Sequence, residues 1–368
     1  MTITDLDADA LSRAIHAKEV SCREVMRATL DRIAAVNPQV NAIVSVQDEA
    51  DLLRQADARD AALARGESLG WMHGMPQAIK DAVETKGIPS TLGSPLLADH
   101  VPDRDALMVE RMKAAGCIVV GKTNTPEFGL GSHTFNEVFG VTRNAFDRTK
   151  SAGGSSGGAA VALATHMLPV ADGSDFMGSL RNPAGWNDVY GFRPSQGRVP
   201  RWPAADVWVA LLSTEGPMGR TVKDVAALLD VQAGWDARVP LSIAAKESYA
   251  ANVDAFDPRG VRIGWLGDLG GHLAMEPGIL DLCAAGLARI ASAAFRRSRR
   301  CSPFSRGWSA RSRRSTCSTC SPSPRTRCAD SRSAPRRTES APRARSRSTR
   351  TPALTPASRS GCKCSRRS

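Results

Sequence analysis

An α/β fold, with a mixed or parallel central sheet covered by helices on both faces, is predicted by three features of the 368-residue chain. From residue 70 onward, short apolar runs of strand length alternate with longer amphipathic segments. Gly and Pro punctuate the junctions between them. With 42% hydrophobic residues, the chain is long enough to bury a sizeable core, as one large domain or two medium ones.

The elements follow in order. Residues 5–64 read as helices. "SCREVMRATLDRIAAV" opens with Ser21 and Glu24 at capping-box spacing and carries Val25, Met26, Leu30 and Ile33 on one face. Pro38 then marks the end of that helix. A second helix runs through "EADLLRQADARDAALARG" and stops at Gly66. "MPQAIKD" (75–81) reads as a strand, "ALMVERMKAAG" as a helix ending at Gly116, and "CIVVGKTN" (117–124) as the next strand. "GGAAVALATHM" is helical and "LPVADGSD" extended; "TVKDVAALLDVQAG" is a helix and "GVRIGWLGD" a further strand. A helix over 278–295 closes the ordered part. The expected organisation is an N-terminal helical region (1–68), a core (69–295) and a tail (296–368).

The net charge of +12 averages two unlike parts. Residues 296–368 hold 21 Lys and Arg against two acids, Asp330 and Glu339, or +19, which leaves −7 for residues 1–295. The tail also has 18 serines, six of the nine cysteines and a single leucine, Leu354. Such a segment buries too little apolar surface to offset its ordering entropy, so disorder is expected. Three readings compete for it. One is an Arg/Ser-rich nucleic-acid-binding tail. A second is a metal site using Cys317 and Cys320 with Cys362 and Cys364, whose spacing fits no common zinc pattern. The third, preferred because the composition switches abruptly inside a continuing helix, is a translated frameshift. The mildly acidic body argues against a nucleic-acid partner.

No run reaches the roughly 18 apolar residues of a membrane span. The acidic "MTITDLDADA" start lacks a secretory pattern, so a cytoplasmic location is the expectation. Cys22, Cys117 and Cys283 lack pairing or metal spacing and read as buried small hydrophobes. No metal or cofactor is expected.

Two Gly/Ser-rich turns carry the chemistry: "SAGGSSGGAA" (151–160) and "GSDFMGSLRNPAG" (173–185). Flexible linkers are longer and flanked by polar chain, whereas each of these abuts an apolar helix or strand. Neither is followed by the Gly-Lys-Ser/Thr of a phosphate loop. Gly-x-Ser-x-Gly matches at Ser155 and at Ser156, but a nucleophile elbow needs a strand leading into the turn and an acid and a histidine downstream. Only His166 and His272 follow, and "NAFDRTKSAGG" is a poor strand. If no histidine is the base, a lysine must be. Lys80 ends an apolar strand, and burial beside hydroxyls would disfavour its charged form and let its amine accept a proton near neutral pH.

"GMPQAIKD", "FGVTRN", "GGSSGG", "GSDFMGSLRNPAGWNDVYGFRPSQGRV" and "STEGPMGRTVKDVAALLDVQAG" together resemble the amidase signature family, over about residues 5–295. Lys80 and Ser155 lie 75 residues apart, and Ser155 and Ser179 lie 24 apart, spacings typical of that family's lysine and two serines. The resemblance implies the amidase-signature fold and an amidohydrolase needing no cofactor. It makes Ser179 the nucleophile that forms an acyl-enzyme. Ser155, joined to Gly154 by a cis peptide, would be the bridging serine and Lys80 the base. It implies an oxyanion hole from the N–H groups of Phe176, Met177, Gly178 and Ser179, with Ser156, Asp175 and Arg181 in support. The partners implied are a small-molecule amide and, as an allowed state, a homodimer, with no membrane. Two departures stand out. Met177-Gly178 replaces the family's usual pair of glycines. The family fold also continues past residue 295, so the chain as written is expected to be poorly soluble or inactive. The alternatives are the glutaminase subunit of a tRNA-dependent amidotransferase, or a catalytically dead frameshifted remnant.

Overall fold

The structure is a computed structural model that describes residues 2–208, 212–245, 247–292 and 296–297. The tail from residue 298 onward, with Cys317, Cys320, Cys362 and Cys364, lies outside the described residues. Chain contacts divide the molecule into a large unit, 1–262 with 289–296, and a second that includes Ile263–Ala288.

The helical start forms as its caps dictate. Asp7 accepts a hydrogen bond from the Ala10 N–H at the start of α1 (Ala8–His16). Ser21 and Glu24 close a reciprocal capping box on α2 (Cys22–Val40). That helix runs past the predicted stop. Pro38 sits in its last turn, and the left-handed Asn41 (φ 53°) then ends it. The Asn37 side chain takes up the chain beyond, accepting from the Ala42 and Ile43 N–H groups and donating to the Ile43 carbonyl. β1 (Ile43–Val44) follows, then α3 (Glu49–Ala64), capped by Asp48.

Two three-stranded sheets form the centre. In the first, β3 (Ile118–Thr123) lies between β1, antiparallel, and β2 (Pro76–Lys80), parallel. The crossover from β2 to β3 contains α4 (Leu107–Ala114). Every residue of β2 and β3 is buried, as expected of strands covered on both faces. A short hairpin, β4 (Phe135–Asn136) with β5 (Gly140–Val141), leads to the first Gly/Ser turn.

Next comes α5 (Gly157–Ala164), which is apolar all round and buried from Gly157 to Leu163. A methyl on Gly158 would stand 2.4 Å from the Asn124 nitrogen and 2.6 Å from the Ala42 oxygen, so only glycine lets α5 approach the first sheet this closely. The second sheet follows: β6 (Val170–Asp175), then α6 (Arg181–Trp186), β7 (Tyr190–Gly191) and β8 (Thr214–Gly219). β8 is central and antiparallel to both neighbours.

α7 (Val222–Gln232), capped by Thr221, and α8 (Tyr249–Ala255), capped by Ser248, complete the larger unit. One apolar cluster joins helices and sheets, running through Met26, Ile79, Val120, Leu163, Val170 and Leu228. Sheets and helices together make the α/β class predicted. The strand expected in "GVRIGWLGD" shrinks to β9 (Arg262–Ile263). The last predicted helix is α9 (Ile279–Ser292). Cys22 and Cys117 are buried as expected; Cys283, on the exposed side of α9, is not.

Candidate active site

Lys80, the last residue of β2, is fully buried. Its Nζ donates to three hydroxyls: Ser155 Oγ at 2.8 Å, Ser156 Oγ at 2.9 Å and Ser174 Oγ at 3.0 Å. Burial pushes the amine down to about 7. Asp172, Asp175 and Glu215 oppose that shift and Arg201 adds to it. Lysine placed among hydroxyls rather than carboxylates lacks a direct counter-ion, so its neutral form is within reach at neutral pH.

The first Gly/Ser turn supplies two of the three oxygens. The Gly154–Ser155 peptide is cis, and Ser156 is the N-cap residue of α5. The Ser155 carbonyl accepts from Thr125 Oγ1 at 3.0 Å, which ties the turn to the end of the first sheet. No strand enters this turn; the preceding chain makes only a single bridge between Arg143 and Ser151. The strand required by a nucleophile elbow is missing. His166 lies elsewhere, held by Arg220 and the Thr4 carbonyl.

The second turn follows β6. Asp175 is buried and takes hydrogen bonds from the N–H groups of Gly178 (2.7 Å) and Leu180 (3.2 Å) and a bidentate pair from Arg181 (2.9 and 3.1 Å). Burial would raise its carboxyl, but Arg181 and the two N–H groups outweigh that and hold it below the usual carboxylate value. Gly178 adopts φ +119°, a left-handed conformation that favours glycine, and a Cβ there would meet the Asn182 amide at 2.6 Å.

This arrangement departs from the expected oxyanion hole at one donor. The Gly178 N–H is engaged by Asp175, because the tight turn carries it beneath the loop. The N–H groups of Phe176, Met177 and Ser179 donate to no acceptor among the described residues. Met177, which stands where a glycine was expected, points its side chain outward at 82% exposure.

Ser179 is half-buried, and its carbonyl accepts from the Ser156 N–H at 3.2 Å, so the two turns are stitched together. Among the described residues its hydroxyl makes no hydrogen bond to Ser155. The predicted residues therefore converge: Lys80, Ser155 and Ser156 in direct contact, Ser179 bound to that cluster through its backbone, and Asp175 with Arg181 holding the loop.

Ser174 and Asp172 are functional neighbours that sequence reasoning missed. Asp172 accepts from the Lys80 N–H at 3.1 Å and the Gln77 amide at 3.3 Å, joining β6 to β2 across the two sheets. The period-2 alternation of β6, which puts 172 and 174 on one face, was the available signal. Trp202 packs under the Arg238 guanidinium at 4.4 Å, and Trp208 is exposed. Among the described residues no group of His, Cys, Asp and Glu side chains could hold a metal, and no helix is long and apolar enough to cross a membrane.

A family model described as Amidase matches residues 24–317, a span that runs past the composition break at 296. The chain belongs to the Amidase family. This Amidase-family chain is similar to a component of the glutamyl-tRNA(Gln) amidotransferase of Acidothermus cellulolyticus, 43% identical over 270 residues, which are 73% of this chain and 53% of that protein. It is also similar to an acylamidase of Rhodococcus erythropolis, 38% identical over 290 residues, 77% of this chain and 59% of the relative. Among solved structures it resembles a bacterial aryl acylamidase of the amidase signature enzymes, with a TM-score of 0.72 at 32% identity, covering 79% of this chain and 60% of that one. A peptide amidase from Stenotrophomonas maltophilia superposes with a TM-score of 0.70 at 30% identity, covering 80% and 61%. The Amidase-family chain thus spans little more than half the length of the relatives it matches.

Proposed function

We propose that the chain is an amidohydrolase that cleaves a carboxamide C–N bond through an acyl-enzyme on Ser179. The observation that carries this reading is the buried Lys80 amine 2.8 Å from the Ser155 hydroxyl, with its proton affinity lowered to about 7. A neutral amine there takes the Ser155 proton while Ser155 takes the proton of Ser179. The Ser179 oxygen attacks the amide carbonyl, and the oxyanion is stabilised by the N–H groups of Phe176, Met177 and Ser179. The relay then runs backward, and the proton reaches the leaving nitrogen as the C–N bond breaks. Water enters, loses a proton to the same relay and releases the carboxylate. The Ser155–Ser179 hydrogen bond this needs forms when substrate draws the second turn inward; such contacts commonly tighten only in the Michaelis complex.

Ser156 and Ser174 hold the amine by accepting its other two hydrogen bonds, while Asp175 and Arg181 fix the loop that presents Ser179. The substrate is a small-molecule amide and the place of action the cytoplasm. The test is labelling by a serine-reactive fluorophosphonate together with turnover on a panel of amides. Ser179→Ala abolishes both, and persistent labelling of that variant overturns the nucleophile assignment.

A second reading is favoured by the 43% identity to an amidotransferase component: a glutaminase that passes ammonia to a partner. Glutamine hydrolysis that rises on adding partner proteins and tRNA supports it. Turnover of simple amides by the chain alone argues for the first reading. A chain that is folded, unlabelled and inactive under both conditions is a dead remnant.

A further inference from the structure

We infer that Glu215, ion-paired with Arg201, is a positioning residue that adjusts the proton balance of the Lys80 amine. This rests on the reading of Lys80 as the base. In the β6–β8 ladder Glu215 stands directly opposite Ser174, so the two side chains leave the sheet on the same face, about 5 Å apart at Cβ. The Ser174 hydroxyl on that face accepts the Lys80 bond at 3.0 Å. The Glu215 carboxyl therefore borders the small buried space that holds the amine.

The Glu215 side chain is buried, at 3% exposure. Its ion pair there is with Arg201 Nε at 3.8 Å, and the Arg201 side chain remains 36% exposed. Burial pushes the carboxyl up to about 7, Asp172 adds to that, and Arg201 and Lys80 pull it back. The charged forms of Lys80 and Glu215 thus favour each other.

The other charges around Lys80 are already committed. Asp172 of β6 is bound to the Lys80 and Gln77 nitrogens, and Lys122 of β3 contributes to its field. Asp175 of β6 is neutralised by Arg181, with Arg193 at 3.8 Å. Lys122 itself is bound to the Thr85 and Ser90 hydroxyls and the Val83 carbonyl. Glu215, by contrast, is ion-paired at the longer distance of 3.8 Å with a part-exposed arginine, so its ionisation is the adjustable one. As a carboxylate it favours the ammonium form of Lys80 and withholds the base. As a neutral acid it releases that hold.

The test follows the Lys80 resonance in the full chain labelled with 13Cε-lysine, assigned by its loss in Lys80→Met, and needs no catalytic activity. In Glu215→Gln the Lys80 midpoint falls by about half a pH unit or more, whereas Glu215→Asp restores the original curve. A Lys80 midpoint that Glu215→Gln leaves in place overturns the inference. If Glu215→Gln does not fold, the coupling is read in Arg201→Gln, which changes a half-exposed side chain. There the loss of Arg201 raises the Lys80 midpoint directly, and the coupling is the separate step in the Lys80 curve at the raised midpoint of the carboxyl. A Lys80 curve with no such step overturns the inference equally. Fluorophosphonate labelling of Lys80→Met separates the two levels. Labelling that survives in that variant removes Lys80 as base, whereas abolished labelling with no Glu215 coupling removes the present inference alone.

Discussion

Replacing Lys80 by methionine keeps the length of the buried side chain and removes its amine. The wild-type amine has an affinity near 7 folded, against an ordinary value of 10.5. The folded value lies below the unfolded one, so the unfolded chain binds the proton more readily. Lys80 therefore costs stability progressively as pH falls from about 10.5 to about 7, and no further below that. At pH 9 this cost is about 2 kcal/mol, and at pH 7 it is about 4 kcal/mol. The methionine variant avoids the cost but loses three hydrogen bonds, a loss independent of pH.

Urea unfolding of both proteins at half-unit intervals from pH 6 to pH 9.5 isolates the lysine. The difference in unfolding free energy shifts toward the variant by about 2 to 3 kcal/mol between pH 9 and pH 7, then levels off. A difference that stays flat across this range would mean the amine keeps an ordinary affinity. The relay would then have no base at neutral pH.

Other outcomes follow from the same geometry. The acid limb of turnover by the wild-type chain falls near pH 7, because the neutral amine is the active form; a pH–rate profile checks it. Asp175→Asn breaks the bidentate bond to Arg181 and costs about 2 to 4 kcal/mol at neutral pH, read from the urea midpoint. Asp175 supports stability above the ordinary carboxylate value, and that support drains as pH drops through its lowered folded value. Gly158→Ala destabilises by about 2 kcal/mol or more, since its methyl meets backbone atoms that cannot yield; thermal unfolding tests it. Sequencing the gene around codon 295 tests the frameshift: an open frame that continues the family's pattern after a one-base correction supports it, and an unbroken frame refutes it.

Elements with strong local signals were legible from sequence. β2 and β3 hold short apolar cores, Ala78–Ile79 and Ile118–Val120, and Ser21 with Glu24 announces α2, whose first residue is Cys22. The family resemblance, carried in part by the spacing of Lys80, Ser155 and Ser179, pointed to three residues that lie in one neighbourhood. What escaped depends on tertiary contacts. Pro38 looks like a terminator, yet the helix runs two residues further to Val40, and the left-handed Asn41 ends it. Glu215 and Asp172 went unmarked, since residue type alone does not tell a carboxylate facing water from a buried one. The engagement of Gly178 by Asp175 rests on one loop angle, which residue types alone do not fix.

Asp172 is the side chain through which the two sheets meet. Lys80 belongs to one sheet and Ser174 to the other, and Asp172 grips the Lys80 backbone from across that boundary. Neither layer alone holds a complete relay. The reach from amine to serine is a property of how the layers register. Reactivity at Ser179 would then report how well the two layers register.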